Sequence, residues 1–143
     1  MIVVLMGAPG AGKSTWVTKN KNGDEHIFNT EGVRINRKLD VAAYMQHQRM
    51  KAIKAVESGK HLIADGTHTI STHRKVWLNL ADRLGLETRL VVFDTALATL
   101  LGVQVTREHP APPVIVIEHY RRLQRAKHII RREGWGSIET ITR

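Results

Sequence analysis

Nine residues, GAPGAGKST at Gly7–Thr15, restrict what this chain can become more than any other stretch. They follow directly on an apolar run, Ile2–Met6, and the residues after them are compatible with helix. The first eight fit G-x-x-x-x-G-K-S/T at every defined position, in the strand–turn–helix context that the pattern requires. Glycines let the backbone curl until successive N–H groups point inward at phosphate oxygens. The helix that follows adds the partial positive charge of its N-terminus. Gly7, Ala8, Pro9, Gly10, Ala11, Gly12, Lys13, Ser14 and Thr15 are therefore the expected contacts of ATP or another nucleoside triphosphate. In such a loop the lysine, Lys13, reaches the β- and γ-phosphates, and the Ser14 hydroxyl binds the Mg²⁺ that bridges them.

The rest of the chain alternates short apolar runs with helical periodicity. Strands are expected at Ile2–Met6, Ile27–Asn29, His61–Ala64 leading into Asp65, and Glu87–Phe93, with a final edge strand within Gly134–Thr142. Helices are expected from Gly12 to Asn20, over Asp40–Ser58, over Ser71–Leu84 with Ser71 as its N-cap and Gly85 as its stop, over Thr95–Leu101, and over a long basic stretch, Val114–Arg132. Residues 106–113 hold three prolines, Pro110, Pro112 and Pro113, and read as a loop. Alternation of this kind implies an α/β domain with a parallel sheet covered by helices on both faces. With 143 residues and no repeat or linker, one domain over 1–143 is expected.

Twenty-two Lys and Arg against 13 Asp and Glu give a formal net charge of +9. Such an excess attracts polyanions, and it equally describes a solvated cationic surface. The chain has no cysteine, which excludes disulfides and thiolate metal sites and fits a reducing cytoplasm. No apolar run approaches the roughly 18 residues of a membrane span. The eight histidines show no metal-ligand spacing, and His68 and His109 are read as outside the chemistry.

Phosphoryl transfer also needs a group that orients or deprotonates the acceptor hydroxyl. Ligands of such folds gather at the C-terminal edge of the sheet, so carboxylates just after the strands are the candidates. Glu31 stands three residues before Arg34, either a base beside an anion-binding guanidinium or an ordinary surface pair. Asp65 ends a strand in Ala-Asp-Gly-Thr-His, where it can orient the magnesium shell, hold an acceptor-binding arginine, or simply form the turn. Arg107, in the proline-rich loop, can close over the phosphates or stay solvated. Six Lys and Arg between Arg121 and Arg132 either line a polynucleotide path or form a solvated face. Trp77 fits a core face, and Trp135 has no assigned role.

Taken together, these residues resemble the 5′-kinase domain of phage polynucleotide kinase and its bacterial relatives. The similarity runs from GAPGAGKSTW (7–16) to the Val114–Leu123 helix. Ser14, Thr15 and Trp16 match the Ser-Thr-Trp after that family's glycine-rich loop. Glu31 and Arg34 fall on its base and its acceptor-phosphate arginine. Asp65-Gly66-Thr67, Arg74, Trp77, Val92-Phe93-Asp94 and the lid arginine Arg107 match further positions. The resemblance implies a P-loop NTPase fold, a five-stranded parallel sheet of order 2-3-1-4-5, with a lid at about 95–113. It also implies ATP and Mg²⁺ as cofactors, 5′-OH ends of DNA or RNA as partners, and a cytoplasmic address, that of the host if the chain is phage-encoded. Two positions depart: the base is Glu31 where the family has Asp, and Val103-Gln104 replace an Arg-Asn pair of the lid. The chain also ends before a phosphatase domain could fit, so a kinase without 3′-phosphatase activity is expected. Two other functions share the same cradle: a kinase of a small alcohol such as a sugar, nucleoside or antibiotic, and a module that binds ATP without transfer.

Overall fold

Ile2–Met6 (β1) is apolar at all five positions because it lies in the middle of a sheet with a helical layer on each side. It pairs in parallel with β3 (His61–Asp65), Ile2 opposite Leu62, and with β4 (Thr88–Asp94), Ile2 opposite Thr88. Parallel pairing continues outward to β2 (Glu25–Asn29), which runs beside β3, and to β5 (Ser137–Thr142), which runs beside β4. The strand order is β2-β3-β1-β4-β5, the expected one. These assignments come from a computed structural model that describes residues 1–29 and 41–142.

Strand side chains alternate between faces, and the core divides accordingly. Ile2, Val4, Met6, Leu62, Leu90 and Val92 pack with Ala52 and Val56 of α2 (Val41–Glu57) and with Trp77 and Leu80 of α3 (Ser71–Leu84). Val3, Leu5, Ile63, Val91 and Phe93 pack with Val17 of α1 (Lys13–Asn20), Leu100 of α4 (Leu97–Gln104) and Val116 of α5 (Pro113–Ala126). Because the strands run parallel, Met6, Asn29, Asp65 and Asp94 all finish at one edge, and the glycine-rich loop leaves from that edge.

Three expectations change. Ser71 is the first helical residue of α3, Ile70 holds the N-cap position, and no side chain caps that end. Gly85 does stop α3, in a left-handed conformation (φ 66°) that lets the Leu86 N–H return to the Ala81 carbonyl at 2.9 Å. The stretch read as a helix over Thr95–Leu101 becomes α4, displaced to Leu97–Gln104. The long basic helix breaks in two: α5 ends at Ala126, and a short 3₁₀ turn covers Ile130–Arg132. The break turns Ile130 into the core, where it is 4% exposed, and brings Glu133 back to Arg74.

Candidate active site

The loop between β1 and α1 has the shape its sequence demands. Gly12 caps α1 at φ 97°, in the left-handed region, and no side chain competes for the first N–H groups of the helix. The first turn carries no acid, so the positive end of the helix dipole is left for an anion. Gly10 also has a positive φ, 88°, and a Cβ there would lie 2.6 Å from Gln104 Nε2. Glycine at this position thus satisfies both a backbone conformation and a close approach. The Lys13 ammonium donates to the Gly7 and Ala8 carbonyls at 2.8 and 2.9 Å, which holds it across the mouth of the loop. Ser14 and Thr15 are exposed at the start of α1.

Gln104, where the resembled family has a lid asparagine, is buried and does three things at once. Its Nε2 donates to the carbonyls of Pro9 (2.9 Å) and Leu100 (3.2 Å). Its Oε1 accepts from the Ala111 N–H (2.9 Å) and from Arg107 Nη1 (3.2 Å). Residues 104–111 are thereby fastened to the glycine-rich loop through one amide, and Arg107 hangs from the same amide.

On the other side, the turn after β3 is tied to the cradle. The Gly7 N–H donates to the Thr67 carbonyl at 2.9 Å. His68 is 6% exposed and adopts φ 46°, a left-handed conformation that costs a non-glycine residue about 1 kcal/mol or more. The cost is offset by two hydrogen bonds. Nδ1–H donates to the Leu5 carbonyl at 2.8 Å, and Nε2 accepts from the Trp77 indole N–H at 3.0 Å. Since Trp77 can only donate, the ring holds its hydrogen bonds only when neutral. Burial, followed by smaller opposing hydrogen-bond contributions and the nearby His73 and Lys13 charges, pushes its pKa from 6.5 to about 4. The unfolded chain therefore takes up a proton on this residue at a higher pH than the folded one. Stability from His68 is fully present above pH 6.5 and is lost as pH falls toward 4, by roughly 3 kcal/mol in total. Urea midpoints at pH 7 and pH 4.5 are expected to differ less in His68→Asn than in the parent protein.

Arg74, matched to an arginine of the resembled family, is fully buried. Its Nε and Nη2 donate to the two Glu133 oxygens at 2.9 and 2.8 Å, and Nη1 donates to the His68 carbonyl at 3.0 Å. Trp135 Nε1 donates to Glu133 Oε1 at 3.0 Å, which assigns that tryptophan a structural place. His68, Trp77, Arg74 and Glu133 thus form one brace beneath the β3–α3 turn. The sequence left His68 aside, and its only signal was its place directly after the Asp65-Gly66-Thr67 turn.

Asp65 ends β3 at the same edge and is 8% exposed. Asp94, at the end of β4, accepts from Lys127 Nζ (2.7 Å) and Gln124 Nε2 (3.0 Å). Burial disfavours its charge, but these bonds and the Lys127 charge outweigh burial and lower its pKa. Of the six basic residues on the C-terminal stretch, Lys127 is committed to Asp94 and Arg122 pairs with Glu118. Glu31 and Arg34 lie outside the described residues.

Beside the Gly66–His68 turn lies a cavity of about 180 Å³, lined further by Phe28, Met45, Arg49, His73, Val76 and Trp77. Cradle and cavity share one wall, because Thr67 both lines the cavity and accepts from Gly7. Among the described residues no group of three or more His, Cys, Asp or Glu could hold a metal alone. The Ser14 hydroxyl and the Asp65 carboxylate are hard oxygen donors, which fits an Mg²⁺ that arrives on nucleotide phosphates with its waters. No helix among these residues is long and apolar enough to cross a membrane.

A glycine-rich loop between a central parallel strand and a helix, with the lysine aimed across it, in a sheet of order 2-3-1-4-5, defines a P-loop nucleotide-binding protein. The chain belongs to the AAA domain family, whose model matches residues 2–128. No curated protein matches it by sequence. Among solved structures it is similar to a chain of the PezAT chromosomal toxin–antitoxin system of Streptococcus pneumoniae, at 18% identity over 100% of this chain and 68% of that one, with a TM-score of 0.60. It is also similar to a chain of the AvrRxo1-ORF1:AvrRxo1-ORF2 complex, at 14% identity and TM-score 0.69 over 99% of this chain, which spans about half (54%) of that one. A third is deoxyadenosine kinase from M. mycoides, solved with bound dATP, at 14% identity and TM-score 0.59 over 99% of this chain and 91% of that one. These likenesses are of fold.

Proposed function

We propose that the protein is an ATP-dependent kinase that transfers the γ-phosphate to a hydroxyl of a small acceptor, a sugar- or nucleoside-sized alcohol. The observation that carries the reading is the shared wall: the Thr67 carbonyl holds the first residue of the phosphate cradle, and Thr67 itself lines the 180 Å³ cavity. A cavity of about 150 Å³ accommodates one benzene ring, so this one suits a single ring with its substituents. A nucleoside kinase among the structural neighbours agrees with an acceptor of that size.

In this reading the backbone amides of residues 7–15 bind the β- and γ-phosphates. Lys13 and Arg107 neutralise the charge that develops on the transferred group. The Ser14 hydroxyl would hold Mg²⁺ and Asp65 would orient its shell, and the ion would supply charge compensation to the phosphates. Glu31 takes the proton from the acceptor hydroxyl as its oxygen bonds to the γ-phosphorus and the bond to ADP breaks. Arg34 docks an anionic group of the acceptor.

A polynucleotide 5′-OH is the second reading, favoured by the net charge of +9 and by the exposed Arg121, Arg125, Arg131 and Arg132. One experiment separates the readings. The protein is incubated with γ-labelled ATP and magnesium beside a sugar and nucleoside panel, 5′-OH DNA and 5′-OH RNA. Label on a small alcohol is the expected result. Label only on oligonucleotides, falling steeply as salt rises, replaces the first reading with the second. ATP binding with neither transfer nor hydrolysis replaces both with a binding module.

A further inference from the structure

We infer that the small acceptor carries a phosphate monoester, recognised by Arg49 and His73 at the rim of the cavity beside the β3–α3 turn. The inference rests on the kinase reading for the role of the bound molecule, but not for its binding. Besides the buried His68, the cavity lining among the described residues contains two basic side chains, Arg49 from α2 and His73 from α3, and no acidic one. Both are exposed at its rim, and neither has an ion-pair partner among the described residues. Facing walls are apolar and aromatic: Phe28, Met45, Val76 and Trp77, with Phe28 and Trp77 packed edge to face at 4.8 Å between centroids. That division suits a ligand with an uncharged ring at the bottom and an anion at the mouth.

The backbone adds to the same field. His73 lies in the first turn of α3, whose N-terminal end has no side-chain cap and no acid in its first turn. The Arg49 guanidinium and the His73 ring, a further hydrogen-bond donor, beside that uncapped end make one anion-attracting region fed from two elements. Charges converge on His73 itself. Burial first, then Arg49, Arg122 and Arg74, lower its pKa, so the ring sits among cations that an arriving phosphate would offset. Arg122 faces it from α5 but is paired with Glu118, whereas Arg49 is the guanidinium available as a fork for phosphate oxygens. Arg49, Val76 and Trp77 also line an adjoining groove of about 340 Å³ between α2 and α3, which leaves room for an acceptor larger than one ring.

The test measures binding before turnover. Calorimetry on the full chain, saturated with a non-hydrolysable ATP analogue, compares ribose with ribose 5-phosphate and adenosine with adenosine 3′-monophosphate. The phosphorylated member of at least one pair is expected to bind at least tenfold more tightly. Arg49→Met and His73→Ala, both at exposed positions, are expected to reduce that preference below threefold while the affinity for the ATP analogue stays within twofold. Equal binding within each pair, no binding by any of the four compounds, or a preference that survives both substitutions overturns the inference. Phosphate-dependent binding without transfer of label from ATP would sustain this site and sink the kinase reading, so the two fail separately.

Discussion

Lys13→Ala is expected to leave a folded chain whose phosphoryl transfer falls by about a hundredfold to a thousandfold, the loss seen when one preorganised donor to developing charge is removed. The side chain is half-buried, and its ammonium already lies across the cradle, donating to Gly7 and Ala8 at 2.8 and 2.9 Å. Little reorganisation is then needed to exchange those carbonyls for phosphate oxygens. The two loop bonds themselves cost about 1–3 kcal/mol of stability when lost, within what a domain of this size survives. Lys13→Arg keeps the charge but replaces a compact ammonium by a planar fork. It is expected to recover nucleotide affinity more than kcat. Equilibrium binding of ATP and turnover of the best acceptor, measured on all three proteins, give the check. Turnover within threefold of the parent in Lys13→Ala would remove the cradle from the chemistry.

The cradle was legible because it is local. Nine consecutive residues carry the glycines, the lysine and the hydroxyl, and the apolar run before them can only be a buried strand. The remaining strands were legible for the same reason, since a strand buried on both faces is apolar at successive positions, as in Leu90–Phe93. Strand order came only from the resemblance, because no periodicity states which strand lies beside which. What stayed hidden is long-range polar pairing. Gln104 reaches Pro9 across 95 positions, and Arg74 reaches Glu133 across 59. Neither glutamine nor glutamate differs in sequence from a surface residue. Gln104 leaves a trace as the polar end of the mostly apolar Leu97–Val103 run, but against the resembled family it registers only as half of a replaced arginine–asparagine pair. The break of the basic helix after Ala126 was illegible because Glu133 and Ile130, not local propensity, set it. Ser71 misled because capping residues are also tolerated inside the first turn.

Breaking the Arg74–Glu133 pair is the largest stability effect expected in the molecule. Arg74 has no solvent exposure and the Glu133 side chain only 11%, so neither charge can turn to water when its partner is removed. Glu133→Ala leaves a buried guanidinium with the His68 carbonyl as its one remaining hydrogen-bond partner among the described residues, and such losses cost about 3–5 kcal/mol. For a chain of this length that lowers Tm on the order of 10 °C. Replacing both residues by apolar ones of similar size, Arg74→Met with Glu133→Leu, is expected to recover much of the loss, since the desolvated charge disappears with its partner. Acid titration gives an independent check. Burial disfavours the Glu133 charge, but hydrogen bonds from Arg74 and Trp135 and the Arg74 and Lys75 charges outweigh it, so its pKa lies below the ordinary 4.5. The folded state thus holds this carboxylate ionised where the unfolded chain would protonate it. Its contribution is present above pH 4.5 and is lost as pH falls through the lowered value. Glu133→Ala therefore flattens stability against pH below 4.5, while the loss between pH 6.5 and 4, carried by His68, persists. If denaturant curves show the same acid limb in Glu133→Ala as in the parent, the brace does not hold the turn that joins cradle and cavity.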